Sequence, residues 1–534
     1  MSLASQLQQL DPLMEANAHS DSQTAKAIRK FVFQVGLEPD VLYSTSFKET
    51  VRVIANNVQV AIPTYESLLR EELKETESRT RELKQEWEKS GCSVILDSWG
   101  SQRGTQSFVS VLVHCRKGML FLRSIDVSAI IDDVDMLEEM LSRVVDDVGA
   151  SNIVQVIIND ASPYMQNARH RVLKKHDHSF FFPLCADFCI NFLLQNIAAL
   201  DHISEVLTKA KEITRFIHDN QLPTELLGKY IEGGKILSNS CWKFVAEFMT
   251  LQRLVSERVN LVEMFSSPEW VSSGWAASSS FWYICRIVKK DDAFWCAAAD
   301  ALKVTIPFVN VLFKLEREDC PMGILYDAMD CAKEEVMNNL GDKDGDILPW
   351  VDKIWDIYLH SPLHAAGHML NPRVFYKDPA CDDPEIISGI EACITQMANG
   401  HYDPKKVKAQ IEAYRRKLGS LGSDSAIQKM METPQVHWWL VHGTGTPELQ
   451  TLATRILNQT CFGAKRYNID WHVSERVHNP KPFDNQDLYR GLEYVHYNTH
   501  LASAEPRICG LSGDQVGNPA RELGDWIWDP QQQR

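Results

Sequence analysis

The chain is missing most of the features that would assign it to a specialised class. Its start, Met1-Ser-Leu-Ala-Ser-Gln-Leu-Gln-Gln-Leu-Asp11, has neither a basic opening nor an apolar core, so no secretory signal is expected. The most apolar stretch, roughly residues 180–200, is broken by Asp187, Asn191, Gln195 and Asn196, and reads as a buried helix with no membrane partner. No pair of cysteines precedes a pair of histidines near the N-terminus, where the first cysteine is Cys92, so a zinc-finger module is not expected. The 13 cysteines are odd in number and lack framework spacing, which points to reduced thiols in an intracellular compartment. An excess of base is missing too. With 55 basic against 71 acidic residues the net charge is −16, so any contact with DNA needs a local patch or help from a partner.

What is present is the composition of an ordinary folded chain. In 534 residues, 44% are hydrophobic, 24% charged and 9% aromatic, which excludes wholesale disorder. That length predicts roughly two to four structural units.

Residues 24–90 carry a helical pattern, with Ala27, Ile28, Phe31, Val32 and Val35 at spacings of three and four. Residues 65–89 are dense in Glu, Lys and Arg, with Leu68, Leu69, Leu73 and Leu83 as a partial stripe. That is the pattern of a solvated amphipathic helix. At Gly91 the period changes. Residues 92–97 read as a buried strand, and residues 108–115 and 119–125 as a hairpin turning at Arg116-Lys-Gly118. A helix over 134–148 and a strand over 153–158 follow, with Phe180-Phe-Phe182 a candidate fifth strand. Three strands, a helix and a strand returning beside the first make a mixed α/β sheet. Residues 187–433 read almost wholly as helix with no fixed-period repeat, which excludes a solenoid. Residues 449–457 and 488–501 form two further amphipathic helices.

Several chemical candidates give way to simpler readings. Gly100-Ser-Gln-Arg-Gly-Thr-Gln-Ser107 lacks the lysine of a phosphate loop and leads into a strand, so it is a plain loop. Asp342-Lys-Asp-Gly-Asp346 misplaces the glycine of a calcium loop and has Lys353 at its twelfth position, so it is a turn. His360, His364 and His368 are spaced by four, but Pro362 interrupts them and no glutamate stands beside the first; they read as structural. Cys185 and Cys189 read as buried thiols. No cofactor and no metal are therefore expected.

One constellation is more specific. Asp97 ends the first strand, and Asn159-Asp160 ends the strand beside it. Ribonuclease-H-like nucleases and transposases place carboxylates there, because Mg²⁺ takes hard oxygen ligands and two ions about 4 Å apart activate the attacking oxygen and stabilise the leaving one. A third acid should come from a helix after the sheet.

Around these residues the sequence resembles a family. Cys92-Ser-Val-Ile-Leu-Asp-Ser-Trp99, Arg123-Ser-Ile-Asp126, Val154-Gln-Val-Ile-Ile-Asn-Asp-Ala-Ser162 and Cys185-Ala-Asp-Phe-Cys-Ile-Asn-Phe-Leu193 are similar to the transposase core of plant hAT-type elements. Thr214-Arg-Phe-Ile217, Met264-Phe-Ser-Ser-Pro-Glu-Trp270 and Pro362-Leu-His-Ala-Ala-Gly-His-Met-Leu-Asn-Pro372 continue the likeness. Trp438-Trp439, Thr446-Pro-Glu-Leu-Gln450, Ala453-Thr-Arg-Ile-Leu457 and Tyr494-Val-His-Tyr-Asn498 resemble the family's C-terminal dimerisation region. The resemblance runs from about residue 24 to 502. It implies a ribonuclease-H-like α/β core interrupted by a large all-α insertion, mostly helical overall. The implied division is a flexible tail (1–23), a helical region (24–90), the first part of the core (91–200), the insertion (201–433), core completion with dimerisation (434–502) and a second tail (503–534).

The catalytic positions depart from the family's pattern. The first acid matches Asp97, but the second slot, which opens an Asp-Asn-Ala-Ser run in the family, holds Asn159. Asp160 does not simply substitute, because adjacent strand residues point to opposite faces. The third acid stands three residues before a tryptophan in the family; counting back from Trp471 gives Asn468, and counting forward from Cys461 gives Tyr467. A rival register uses Glu475 in Ser474-Glu475-Arg476-Val477. The histidine of the family's Cys-Ala-x-His-Cys motif is replaced by Phe188. One acid of three cannot hold two magnesium ions, so the site is expected to be catalytically dead.

The reading that follows is a domesticated, non-catalytic hAT-type transposase remnant in the nucleus. It would act as a homodimer, or a heterodimer with a related protein, through DNA or through chromatin and transcription proteins. Leu488, Leu492 and Val495, with Tyr497 and neighbouring tyrosines, are the expected dimerisation surface, whereas Leu449, Leu452, Ala453 and Ile456 are expected to pack within the chain. Two other readings stand beside it: a residual magnesium-dependent nuclease using Asp97, Asp160 and Glu475, and a protein-interaction scaffold without nucleic-acid binding.

Overall fold

The computed structural model describes residues 23–54, 64–101, 104–238, 240–277, 279–340, 347–377, 383–398, 400–479 and 485–503. The described chain divides into two compact units, one made of residues 23–184 and 361–503 and the other of residues 185–360.

The first unit opens with helix α1 (Gln23–Val35) and the long helix α2 (Tyr65–Ser90). Thr64 caps α2, its hydroxyl accepting from the Ser67 N–H at 3.3 Å. Arg29 of α1 reaches Glu71, Glu72 and Glu75, at 3.2, 2.9 and 2.9 Å. The charged helix is not solvated all round, because Leu68, Leu69, Leu73, Leu83 and Trp87 are buried. It ends at Gly91, which turns with φ 73°; a Cβ there would come within 2.4 Å of Val154 Cγ2, so only glycine allows the chain to drop straight into the sheet.

Strands β1 (Cys92–Gly100), β2 (Ser107–Cys115) and β3 (Gly118–Asp126) pair antiparallel in sequence. Helix α3 (Val134–Val148), capped by Asp133, then carries the chain back to β4 (Ile153–Ile158), which lies parallel to β1. The order is β3-β2-β1-β4. After α4 (Pro163–Lys175), Phe181 and Leu184 form parallel bridges to Gln155 and Ile158, so the expected fifth strand is present only as isolated bridges. This small mixed sheet fits the α/β core that the sequence leads one to expect. Residues 92–97 of β1 and all of β4 are buried, as strands covered on both faces must be.

Among the described residues the named elements of the second unit are all helices, and they include α5 (Ala186–Ala198), α6 (Asp201–Asp219), α7 (Ser279–Lys290) and α8 (Asp292–Glu316). Its central helix is α8, which is long and apolar enough to cross a membrane by length and composition alone. Here Phe294, Trp295, Val304, Phe308, Leu312 and Leu315 bury it among α5, α6 and the other helices of the unit. The boundaries fall at Cys185 and His360, and not at 201 and 433. The described residues of 361–433 are mostly helical as expected but belong with the sheet, because Tyr376 and Tyr414 pack on Trp438 and Trp439, with ring centroids 5.8 and 4.9 Å apart.

The chain returns to the first unit through α9 (Pro362–Leu370), α10 (Pro447–Leu457), α11 (His472–His478) and α12 (Gln486–Ser503). Leu449, Leu452, Ala453 and Ile456 of α10 are buried, in line with intramolecular packing. The same holds for α12, and this corrects the expected dimerisation surface. Leu488, Leu492, Val495 and Tyr497 are buried against the chain's own α2 and β3. The helices approach so closely that a Cβ at Gly491 would meet Leu69 Cδ2 at 3.0 Å. An apolar stripe must be covered by something, and β3 together with α2 covers this one.

Candidate functional site

The parallel register sets Leu96 of β1 beside Ile158 of β4, so the next residues, Asp97 and Asn159, stand side by side where the two strands end. Asn159 Nδ2 donates to Asp97 Oδ1 at 2.8 Å. The other carboxylate oxygen accepts from Trp471 Nε1 at 3.1 Å. Asn159 is itself fixed: its Oδ1 accepts from the Ser98 N–H at 2.7 Å, and its Nδ2 also reaches the Ser98 carbonyl at 3.3 Å. Asp97 is 4% exposed.

Trp471 stands immediately before α11 and closes the site with an aromatic wall. It stacks on Trp99 at 5.9 Å and leans on Tyr497 at 4.9 Å, while Trp99 stacks on Phe108 at 4.4 Å. Beside this wall lies a cleft of about 310 Å³ lined by Ser98, Trp99, Phe108, Asn159 and Asp160, among others. Beyond the end of β4 the strict alternation of faces lapses, so Asp160 lines the cleft along with Asn159. Its Oδ1 accepts from the Ser162 N–H at 2.8 Å, a local turn contact.

The third slot does not join them as a ligand. Asn468 is exposed and sits in the left-handed region with φ 47°. Glu475 is half-buried on α11, and its neighbour Ser474 is the residue that enters the core. There a buried chain of hydroxyls crosses the sheet. Trp99 Nε1 donates to Ser110 Oγ at 2.9 Å; Ser110 and Ser124 share a bond of 2.7 Å, Ser124 and Ser474 one of 2.8 Å; and Ser474 Oγ donates to Glu493 Oε1 at 2.6 Å. Burial pushes the Glu493 carboxyl up to about 7, against the opposing hydrogen bonds from Ser474 and Ser124. Sequence reasoning missed this chain, although Ser110 and Ser124 interrupt apolar strands and were visible as polar residues at buried positions.

Other sequence candidates are dispersed. His360 is extended and precedes α9, which Ser361 caps and Pro362 opens, so it shares no helical face with His364 and His368. Cys185 and Cys189 are buried at the start of α5 and in no disulfide, and burial together with Asp187 drives the Cys185 thiol well up. Phe188 packs on Phe192 and Trp242 at 6.1 and 6.2 Å. The Asp342–Asp346 turn lies outside the described residues. Among the described residues, no group of three or more His, Cys, Asp or Glu side chains is arranged to hold a metal ion.

Residues 61–213 match the family described as "Domain of unknown function (DUF659)", which is associated with hAT-type transposase-like proteins. The matched stretch contains Asp97, Asn159 and Phe188, and ends before Trp471. No curated protein matches the chain.

Proposed function

We propose that this chain is a catalytically inactive, domesticated relative of hAT-type transposases that works as a dimerising nuclear factor, binding DNA, protein or both. The observation that carries the loss of catalysis is the occupation of Asp97. Two magnesium ions need anionic oxygens converging on one point. In this chain one Asp97 oxygen accepts a hydrogen bond from an amide N–H and the other from an indole N–H, while the second acid slot is that same amide. A cation placed there would face the Nδ2 and Nε1 hydrogens. Asp160 and Glu475, the acids of the nuclease alternative, offer no convergence: one carboxylate caps a turn and the other sits on α11 beside a serine that faces the core.

The dimerising part of the proposal rests on the likeness of residues 434–502 to a dimerisation region, and needs a surface other than the buried α12 stripe. Within that stretch the exposed large apolar side chains among the described residues are Leu440 and Val441, adjacent on the helix Gln435–His442.

Calorimetry with magnesium tests the inactive site. Wild type and Asp97→Ala should give the same weak or undetectable signal. Millimolar or tighter binding that vanishes with Asp97→Ala, or magnesium-dependent cleavage of hairpin DNA, would overturn the reading.

A further inference from the structure

Helix α7 presents a surface unlike the rest of this acidic chain. Its buried side, Phe281, Ile284, Ile287 and Val288, packs within the helical unit. The opposite side carries Trp282, Arg286 and Lys290 at successive spacings of four, with Lys289 beside them. Trp282 is 61% exposed, a large apolar ring left in water, and the Arg286 guanidinium lies over it at 5.4 Å from the ring centroid. Trp275, 43% exposed, rests edge-on against Phe281 at 4.6 Å and extends the aromatic surface.

The charge of this face is offset only in part, Arg286 acting on Asp291 from a distance. Among the described residues, Arg286, Lys289 and Lys290 form no ion pair. Asp291 and Asp292 follow Lys290 directly, but Lys209 holds the first at 2.9 Å and Arg258 holds the second at 2.6 Å. Glu212 engages the Tyr283 hydroxyl. Three cations that form no ion pair among the described residues, beside exposed indoles on a chain with net charge −16, form a local basic patch that bulk composition lacks.

We infer that the Trp282–Lys290 face of α7 binds single-stranded nucleic acid, a base stacking on the Trp282 indole and the backbone phosphates lying along Arg286, Lys289 and Lys290. Acidic side chains alone would satisfy the cations but would add nothing to the side of the indole that Arg286 leaves open. Bases supply both parts, since every base has a π-face and every linkage a negative charge. The inference rests on the nucleic-acid arm of the function proposed above, and adds to it the location and the type of strand.

The test uses the full chain and a labelled oligothymidylate of about 20 nucleotides, followed by fluorescence anisotropy at roughly 50 and 200 mM salt. Trp282→Ala should weaken binding by about 5- to 100-fold, and Trp282→Phe by less. Lys289→Gln with Lys290→Gln should lower the slope of log affinity against log salt by about 1.4, at about 0.7 per phosphate contact on a single strand. Trp282 and Lys290 are exposed and Lys289 is half-buried, and unchanged far-ultraviolet dichroism would confirm that the variants stay folded. Tight oligonucleotide binding that ignores Trp282→Ala would sink this inference and leave the nucleic-acid arm standing. Binding of polyglutamate as tight as that of the oligonucleotide, lost equally in the lysine variant, would reassign the face to an acidic protein. A wild type that binds no nucleic acid would remove the inference together with that arm.

Discussion

Asn498 treats Phe121 as a neighbouring strand would. The Phe121 N–H donates to Asn498 Oδ1 and Asn498 Nδ2 donates to the Phe121 carbonyl, both at 2.9 Å. Phe121 lies on β3, the edge of the sheet, where the register against β2 shifts and leaves Leu122 unpaired. An edge with free N–H and C=O groups invites pairing with another chain, and one amide side chain closes the pair at Phe121. Asn498→Ala should leave both Phe121 groups buried and unsatisfied, at a cost of about 2–4 kcal/mol. A urea melt checks this; a loss below about 0.5 kcal/mol would mean that water replaces the amide without penalty.

Asn159→Asp should destabilise the chain in metal-free buffer at neutral pH. The new carboxylate would still accept from the Ser98 N–H, but it would turn an oxygen toward Asp97 Oδ1 and the Ser98 carbonyl where Nδ2 now donates. Repulsion forces one of two crowded carboxyls to take a proton, so the loss, about 1–3 kcal/mol, should shrink as pH falls toward 4. Thermal melts in EDTA at the two pH values measure it. A stabilised variant would mean the two side chains are not in contact.

Glu493 predicts a pH dependence with a definite sign. Its carboxyl holds its proton to about 7 in the fold, against 4.5 when free. Below the lower value both states are protonated and nothing is lost. As pH rises between the two values the unfolded chain releases a proton that the fold retains, so stability falls through this window and levels off above about 7. The total is on the order of 3 kcal/mol. Glu493→Gln should flatten this slope and exceed the wild type in stability at pH 8. A variant with the wild-type slope would mean that another group titrates.

The two apolar surfaces of the resembled dimerisation region should behave differently. Leu492→Glu with Val495→Glu places charge in the core between α12, α2 and β3, and should abolish folding. Leu440→Glu with Val441→Glu should leave the chain folded and shift it, by light scattering, from twice the chain mass to 60.8 kDa. A folded, monomeric Leu492/Val495 variant would return the interface to α12.

Much of the sheet was legible because its signals are local. The hairpin of β2 and β3 shows two apolar runs around a Gly turn, and the helix from 134 to 148 separates it from a run rich in β-branched residues that only Gln155 interrupts. The adjacency of Asp97 and Asn159 followed from these elements, since parallel neighbours end side by side. What escaped was long-range. Nothing near Asp97 announces Trp471, and the two meet across 374 positions. The amphipathic pattern of α12 is correct, but a stripe reveals only that it is covered, and the partner turned out to be the same chain. The unit boundary escaped for a related reason: helices at 361–433 look like those before them, and only their aromatic contacts with Trp438 and Trp439 assign them to the sheet.

Because the sheet-bearing unit is split in sequence, its parts leave the ribosome at different times. Phe121 emerges 377 residues ahead of Asn498. At roughly 5–20 residues per second that delay is about 20–75 s, during which the Phe121 N–H and C=O lack their Asn498 partner. The helical residues 185–360 can fold in the interval, since their contacts are local to them, while the sheet waits for its last helix. Messages truncated anywhere before α12 would yield a nascent sheet with its rim permanently bare, and such products should be held by chaperones or degraded.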